Sequence, residues 1–530
     1  MARKRLSLFT FLRLENEEVG IKKLGAWLGL ALVVSLFYVA LSVWQNEAAG
    51  FPLDDAWIHQ TYARNLARTG QLAFTPGIPS AGSTAPLWTV LLSLGYLLGI
   101  PFQWWAYGLG VCFLGLTGAT LSRLAGYLFP DTPSLGLWAG LFCVVEWHLV
   151  WAAVSGMETM LFVWLSLLLV EQYLAAEDRA VKRMSRGFWL GVLGGLLLLT
   201  RPEGAGLLGL IGLDMALRRW YIAASPWSII FRRWLALAAG VALLLLPYVA
   251  FHLYLTGLPF PNTLYAKQAE YGEILRSYPI WWRLLGNVGP PVESVQGVFR
   301  VIFIGAQILL LPGLFYAAWL TIKEKRWSCW FVWVWWVSYL LLYALRLPVT
   351  YQHGRYQIPA IVWVVLLGMW GMLRLLGQRK QPLLQRTVSR AWAISLGLLA
   401  LAFSWIGAQA YARDVRFIEN EMVTVAHWLQ THTAPDAVLA LHDIGAIGYF
   451  TERRVLDLAG LVTPQVIPFI RDETALLEFV VANRATYLVT FPSWYPVMVK
   501  DSRLTPIYST AAATTIAAAG DNMVVYQLHR

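Results

Sequence analysis

Long apolar segments separated by polar loops recur along the chain from residue 24 to residue 411. Of the 530 residues, 58% are hydrophobic and 13% are charged, whereas about a quarter of the residues of a soluble protein are charged. A helix of about 20 apolar residues crosses the hydrocarbon core of a bilayer. The sequence therefore predicts a polytopic α-helical membrane protein with about 11–13 transmembrane or half-spanning helices.

The distribution of basic residues predicts the orientation in the membrane. Residues 1–23 are basic and are expected in the cytoplasm, and the apolar segment Leu24–Trp44 is too long for a signal sequence. Short basic loops also account for the net charge of +11, so no nucleic-acid partner is expected. We expect a plasma-membrane location. Successive loops should lie alternately inside and outside the membrane, and this alternation fails by one span between residues 86 and 158. One segment in that region is therefore expected to be a half-span.

The chain divides into three predicted parts. Residues 1–23 form the cytoplasmic N-terminus, and residues 24–411 form the transmembrane domain, with a first external loop at 46–85. Residues 412–530 change character, because short strand-like runs alternate with helix-like stretches. This pattern predicts an extracytoplasmic α/β domain. The predicted strands are Val438–His442, Val455–Leu458, Tyr487–Phe491 and Val524–Leu528.

Two adjacent carboxylates, Asp54 and Asp55, follow the first span. Acidic groups this close repel each other unless a cation or a shared proton intervenes. Such a pair is suited to hold a divalent metal (Mg²⁺ or Mn²⁺) or to act as general base on an acceptor hydroxyl. The alternative is an ordinary helix start before Ala56. A short amphipathic helix over 56–67 is predicted on the membrane surface.

Further charged residues occur where apolar segments reach the outer side. Glu158 and Glu203 have structural alternatives, as an interfacial cap and as a partner of the nearby Arg201. Arg201, Lys267 and Arg355 suit an anionic phosphate that enters from the lipid, although a basic residue can also lie at the interface without a ligand. The turns at 442–445 and 457–460 are better explained by turn-forming Asp and Gly residues.

Other enzyme signals are missing from the sequence. We find no Walker loop, dinucleotide-binding glycine fingerprint, His-Glu-x-x-His or Gly-x-Ser-x-Gly motif, so no nucleotide cofactor is expected. The three cysteines, at 112, 143 and 329, lie in apolar segments and have no metal-ligand spacing.

A series of short motifs extends over most of the chain and into its tail. Its members are Asp54-Asp-Ala-Trp-Ile-His, Tyr62-Ala-Arg-Asn-Leu-Ala, Gly82-Ser-Thr-Ala-Pro-Leu-Trp88, Gly156-Met-Glu-Thr, Arg201-Pro-Glu, Pro261-Asn-Thr-Leu-Tyr-Ala-Lys and Asp443-Ile-Gly-Ala-Ile-Gly-Tyr. The series resembles GT-C membrane glycosyltransferases, in particular the branch around the mycobacterial terminal β-arabinofuranosyltransferase and its bacterial relatives. One departure is Ala81-Gly-Ser-Thr, which replaces a Glu-Gly-x-Thr of that branch.

The resemblance implies inverting transfer of a sugar from a polyprenyl-phosphate donor to an envelope glycan, glycolipid or protein on the outer face. It implies catalytic or metal-binding roles for Asp54, Asp55 and Glu158, and donor-phosphate binding by Arg201, Lys267 and Arg355. Candidates to line the substrate site are His59, Arg64, Trp88, Glu203 and His353.

Two other classes of function remain open at this point. A lipid-linked sugar flippase would place charges in mid-span along a conduction path, whereas the charges here are concentrated at the outer ends. A non-catalytic envelope assembly protein would use its tail to bind a partner.

Overall fold

A computed structural model of the protein describes residues 17–178, 184–221, 226–288, 295–377, 383–517 and 520–529. Of the basic N-terminus that we predicted at residues 1–23, residues 1–16 lie outside the described residues, as do parts of the basic loops at 179–183, 222–225 and 378–382.

Helices dominate the chain up to residue 432. Their bounds are Glu17–Asn46, Asp54–Thr69, Pro86–Leu97, Phe102–Leu128, Leu135–Val145, Trp147–Ala153, Thr159–Asp178, Met184–Leu198, Gly204–Tyr221, Trp227–Thr256, Asn262–Glu270, Gly272–Ser277, Ile280–Leu285, Val298–Val301, Leu311–Lys323, Trp327–Arg346, Ile361–Leu376, Leu383–Ile418 and Thr424–His432, with 3-10 turns at Ala306–Leu310 and Ile358–Ala360 and a π-helical turn at Glu419–Val423. Two short hairpins lie between helices, formed by β1 (Ala73–Thr75) with β2 (Ile78–Pro79) and by β3 (Asn287–Val288) with β4 (Val295–Gln296).

Seven helices in the described ranges are long and apolar enough to cross a membrane. Four shorter apolar helices accompany them, and the helices Leu135–Val145 and Trp147–Ala153 form a pair bent by 59°. Together these elements fall within the predicted range of spans and half-spans, so the prediction of a polytopic helical membrane protein is confirmed. The bent pair lies in the region where the loop alternation required a half-span.

The helix in the predicted first external loop, Asp54–Thr69, which we call the first external helix, is covered by protein, whereas the prediction gave it a polar face open to water. Residues 56–65 are all buried, including Gln60 and Thr61, because the helix packs between the helix Pro86–Leu97 and the C-terminal part of the chain. Its polar face contacts protein rather than water. The sequence did not predict this burial, because an amphipathic pattern does not reveal which partner covers the polar face.

A five-stranded sheet forms the core of the C-terminal sheet domain (residues 424–528). The strands are β5 (Val438–Leu441), β6 (Arg454–Asp457), β7 (Tyr487–Thr490), β8 (Leu504–Ser509) and β9 (Val524–Leu528); the helices are Gly445–Thr451, Glu473–Ala482 and Ala513–Ala517, with 3-10 turns at Pro464–Phe469, Pro492–Trp494 and Met498–Lys500. The strand order is β6-β5-β7-β9-β8, with β5 parallel to both β6 and β7, and β9 antiparallel to both β7 and β8.

The four predicted strands of this sheet are confirmed, with shifts of one residue at several ends. The missed strand, β8, lies at the edge of the sheet, contains Pro506 and is mostly exposed, so it lacks the apolar run that identifies an inner strand. The last helical segment that is long and apolar enough to cross a membrane begins at Leu383 and continues as far as His432. It therefore runs without a break through residue 412, where we predicted the C-terminal domain to begin.

Candidate active site

Asp54 connects the first external helix to the C-terminal sheet domain. Its two carboxyl oxygens accept hydrogen bonds from the backbone N–H groups of Gly445 (2.7 Å) and Ala446 (2.8 Å). Burial and the Asp443 carboxylate raise the pKa of Asp54 to about 8, while the two N–H donors oppose this shift. Asp54 does not cap its own helix, which has Leu53 at the N-cap position. Its oxygens are committed to the start of the helix Gly445–Thr451, where the loop that follows β5 ends.

Asp55, the neighbouring carboxylate, has a different environment. Its side chain is 36% exposed, and its Oδ2 lies 2.6 Å from Nη1 of Arg355. Burial opposes ionisation, but the Arg355 and Lys267 cations outweigh it and hold the pKa of Asp55 below its ordinary value. Asp55 is therefore an ionised carboxylate that solvent or a substrate can reach.

Tyr356 lies at the centre of the three predicted cations. Its hydroxyl accepts hydrogen bonds from Nζ of Lys267 (2.6 Å) and Nη2 of Arg355 (2.9 Å). The charged groups of Lys267, Arg355 and Arg201 lie 4.9, 4.8 and 5.6 Å from the centre of its ring. Residues far apart in the sequence thus form one cationic cluster next to Asp55. Sequence reasoning missed Tyr356, although it directly follows Arg355.

Glu158 holds Arg201 in this cluster. Its Oε1 accepts a hydrogen bond from Nε of Arg201 (2.8 Å), and its Oε2 lies 3.3 Å from Nε2 of His59. Burial opposes the charge of Glu158, but Arg201 and His59 lower its pKa well below the ordinary value. Within the described residues, Nη1 of Arg201 and Nε of Arg355 are buried without a hydrogen-bond partner. Such spare donors on paired cations suit an anionic ligand.

A left-handed turn places Arg355. Gln352 and His353 have φ values of 52° and 59°, and Gly354 follows at 67°. A left-handed backbone conformation costs a residue other than glycine roughly 1–2 kcal/mol. Contacts with the surrounding protein must therefore stabilise this turn. His353 does so through Nε2, which lies 2.8 Å from Oδ2 of Asp414, a carboxylate that also accepts a hydrogen bond from Trp151.

The remaining substrate-lining candidates make contacts within the protein. Arg64 donates to the backbone oxygen of Tyr449 (2.7 Å) and pairs with Glu452 (3.0 Å), so it joins the first external helix to the C-terminal sheet domain. Trp88 is 1% exposed and donates to Gly156 O. Glu203 accepts a hydrogen bond from Tyr343, whose ring stacks on Tyr356.

The predicted metal site at Asp54, Asp55 and Glu158 does not fit this geometry. Across the described parts of the chain, no three His, Cys, Asp or Glu side chains are grouped so that they could hold one metal ion. Each carboxylate instead has its own partners: backbone N–H groups for Asp54, Arg355 for Asp55, and Arg201 with His59 for Glu158. Backbone N–H groups occupy both oxygens of Asp54, and an arginine occupies one oxygen each of Asp55 and Glu158.

Solved structures share the fold of this chain. The oligosaccharyltransferase of Archaeoglobus fulgidus superimposes with a TM-score of 0.60 at 12% identity, over 88% of this chain and 69% of that chain. A complex of the same organism's oligosaccharyltransferase AglB with an inhibitory peptide and a dolichol-phosphate gives the same values. ArnT from Cupriavidus metallidurans bound to undecaprenyl phosphate has a TM-score of 0.58 at 13% identity, over 94% of this chain and 97% of that one. The chain therefore has the GT-C fold of polytopic membrane proteins with extracytoplasmic domains.

Sequence comparisons add one match. Residues 409–526 match a family model described as a domain of unknown function, DUF8728. The sequence matches none of the curated proteins with which it was compared.

An Archaeoglobus fulgidus oligosaccharyltransferase structure of similar fold (TM-score 0.58, 12% identity, 94% of this chain and 73% of that chain) contains Zn and sulfate.

Gly445 allows the close approach of Asp54 to the loop after β5. A Cβ atom at position 445 would collide with the backbone oxygen of Asp54 and lie 2.7 Å from its Cγ. We expect Gly445→Ala to destabilise the protein by about 1–3 kcal/mol, the range for an overpacked site. Thermal unfolding of the full-length protein in nanodiscs measures this. Gly272→Ala is the control, because a Cβ there meets nothing within 4 Å. Equal melting temperatures for both variants would contradict the expectation.

Proposed function

We propose that the protein is an inverting glycosyltransferase that moves a sugar from a polyprenyl-phosphate donor to an acceptor hydroxyl on the extracytoplasmic face of the plasma membrane. The observation that carries this proposal is the cluster of Arg201, Lys267 and Arg355 around Tyr356, directly beside the accessible carboxylate of Asp55. A cationic cluster next to a carboxylate supplies both groups that such a transfer needs: one to stabilise the leaving phosphate and one to take a proton.

The reaction is a single displacement. The acceptor oxygen attacks the anomeric carbon of the donor sugar and forms the new glycosidic bond. The bond from that carbon to the phosphate oxygen breaks, and the phosphate leaves with the electron pair. The acceptor proton passes to Asp55. The cations of the cluster bind the phosphate, whose negative charge grows as it leaves.

Arg355 connects donor binding to the base. In this structure it contacts both Asp55 (2.6 Å) and Tyr356 (2.9 Å). A donor phosphate that attracts the Arg355 guanidinium weakens the ion pair between Arg355 and Asp55. The carboxylate then becomes a better proton acceptor, because an opposite charge nearby is what lowers its pKa. Asp55 is thus the proposed base, and Asp54 positions the loop after β5.

Similar solved structures and the sequence support the lipid-linked donor. The two proteins of similar fold were solved with dolichol-phosphate and with undecaprenyl phosphate. The motif series that resembles the mycobacterial terminal β-arabinofuranosyltransferase branch supports an acceptor in the cell envelope: a glycan, a glycolipid or a protein. Because the three predicted metal ligands have other partners, no step of the proposed mechanism involves a metal.

The proposal is tested with purified full-length protein in nanodiscs. We expect it to release polyprenyl phosphate from a panel of polyprenyl-phosphate sugars, measured by mass spectrometry of the lipid products. Protein in which Asp55 is replaced by Asn is the matched control. If the wild-type protein consumes no donor of the panel, with or without membrane-envelope extract as acceptor, the proposal is wrong.

The pH dependence of transfer should respond to Lys267. Lys267 is, after Arg355, the second largest of the charges that lower the pKa of Asp55, so Lys267→Gln should raise that pKa. We expect the acidic limb of kcat/KM against pH to move to higher pH by about one unit, since nearby charges shift a carboxyl pKa by about 1–3 units. Lys500→Gln, which removes an exposed cation elsewhere, should leave the limb in place. A downward shift, or none, would argue against Asp55 as the base.

A further inference from the structure

The carboxyl ends of the three parallel strands face the transmembrane domain. β5 ends before His442 and Asp443, β6 ends at Asp457, and β7 is followed by the turn that contains Trp494. In parallel α/β sheets, ligands bind in the crevice outside these strand ends. The backbone oxygen of Leu461, in the loop after β6, accepts a hydrogen bond from Asn262 of the transmembrane domain. The strand-end loops therefore border the transmembrane domain, and we call their exposed edge at His442, Asp443 and Trp494 the strand-end crevice.

The strand-end crevice adjoins the candidate active site. Gly445 and Ala446, two and three residues after Asp443, donate to Asp54, the direct neighbour of Asp55. The Asp443 carboxylate is close enough to Asp54 to raise its pKa. The helix Asn262–Glu270, which carries Lys267 of the cationic cluster, also borders the strand ends, because its Glu270 carboxylate is close enough to His442 to help raise the pKa of that imidazole. An acceptor bound in the crevice would thus reach Asp55 from the side of the sheet.

Aromatic and polar groups are combined in this crevice. The rings of His442 and Trp494 meet edge to face with centroids 4.6 Å apart. Trp494 stays 44% exposed, and the side chains of His442 and Asp443 are 24% and 19% exposed. Burial disfavours the His442 cation, but the Asp443, Glu270 and Asp457 carboxylates outweigh this and raise the pKa of His442. An exposed indole next to hydrogen-bonding groups matches a sugar ring, which has an apolar C–H face and a rim of hydroxyl groups.

The two sides of the site carry opposite charge. The cluster around Tyr356 is cationic, whereas Asp443 and Glu270 place carboxylates around His442. Carboxylates repel an anionic ligand and accept hydrogen bonds from hydroxyl groups. The strand-end crevice is therefore suited to an uncharged polyol rather than to a phosphate or a uronic acid.

We propose that the strand-end crevice binds a sugar unit of a neutral glycan acceptor, which stacks on Trp494 and hydrogen-bonds to His442 and Asp443. This inference rests on the proposed function and adds to it the chemical class of the acceptor and the residues that select it. The three residues are proposed acceptor-binding residues; Asp55 remains the proposed base.

Glycan binding by the full-length protein in nanodiscs tests this inference. The probes are defined neutral oligosaccharides, the same backbones carrying uronic acids, and peptides, all on one array. We expect neutral glycans to bind, and Trp494→Ala and His442→Ala each to weaken that binding at least tenfold. Trp494→Phe should restore part of it, because the flat ring is retained. Val497→Ala is the matched control, since Val497 lies in the same segment and is 63% exposed.

Four results would overturn the inference: no glycan bound by the wild-type protein, a preference for acidic glycans, binding of peptides alone, or neutral-glycan binding unchanged in both Trp494→Ala and His442→Ala. Release of polyprenyl phosphate from the donor panel is measured on the same preparations. Donor release without Trp494-dependent glycan binding would remove only the acceptor inference. Trp494-dependent binding without any donor release would remove the proposed function instead.

Discussion

Asp55→Asn is expected to lower kcat/KM for sugar transfer by a factor of about 10²–10⁴, the usual contribution of a general base. Asn keeps the size of the side chain but cannot accept the acceptor proton. The measurement is the initial rate of polyprenyl phosphate release at donor concentrations well below KM, compared with wild-type protein at equal folded concentration.

The matched variant is Asp54→Asn, one residue away. It places an amide N–H₂ group against one of the backbone donors, Gly445 or Ala446, and thereby loses a buried hydrogen bond. This should cost about 1–3 kcal/mol of stability and loosen the C-terminal sheet domain, which limited proteolysis detects. We expect Asp55→Asn to lose more transfer activity than Asp54→Asn and to lose less stability. The opposite ranking would exchange the roles that we give to the two carboxylates.

Arg355→Gln is expected to have the second large effect. The guanidinium contacts Asp55 and Tyr356 and has a spare buried Nε–H, so its loss removes one of the donors proposed for the leaving phosphate. Removing one such donor typically costs about 10²–10³ in rate. Binding of undecaprenyl phosphate, the probe for the donor phosphate, should weaken in parallel.

Two further variants make this expectation specific. Arg355→Lys should restore little activity, because one ammonium group cannot reproduce the two contacts of the planar guanidinium. Arg276→Gln removes an exposed cation from an external segment and should leave both transfer and undecaprenyl phosphate binding near wild type. Equal losses in Arg276→Gln and Arg355→Gln would mean that general surface charge, rather than the cluster, attracts the donor.

The sequence was sufficient to predict the architecture, because spans and inner strands depend on local apolar patterns. It also indicated Arg201, Lys267 and Arg355, since charged residues at the outer ends of spans are costly unless they have a purpose. The structure brings these three together, and their role stays a prediction. The clustering itself could not be derived, because it depends on how helices distant in sequence pack.

The two aspartates show the limit of sequence reasoning most clearly. Successive residues of an α-helix point about 100° apart, so Asp54 and Asp55 face different neighbours although they are adjacent. Asp54 meets backbone donors from position 445 onward, and Asp55 meets Arg355. Tyr356 was missed for a similar reason: a tyrosine next to an arginine in an apolar stretch has no local signal. Only the surrounding cations distinguish it.

The contact between Asp54 and Gly445 joins positions that are 391 apart in the chain. At a synthesis rate of about 5–20 residues per second, roughly 20–80 seconds separate the appearance of the two residues at the ribosome. During that interval the spans enter the bilayer while the first external loop lacks the partner that orders it. Under the proposed function, a nascent chain would enter the bilayer beside lipid-linked sugars before Asp54 has met position 445, and it would become competent only when its last segment has folded. Translation order would thereby protect the donor pool from partly made copies of the protein.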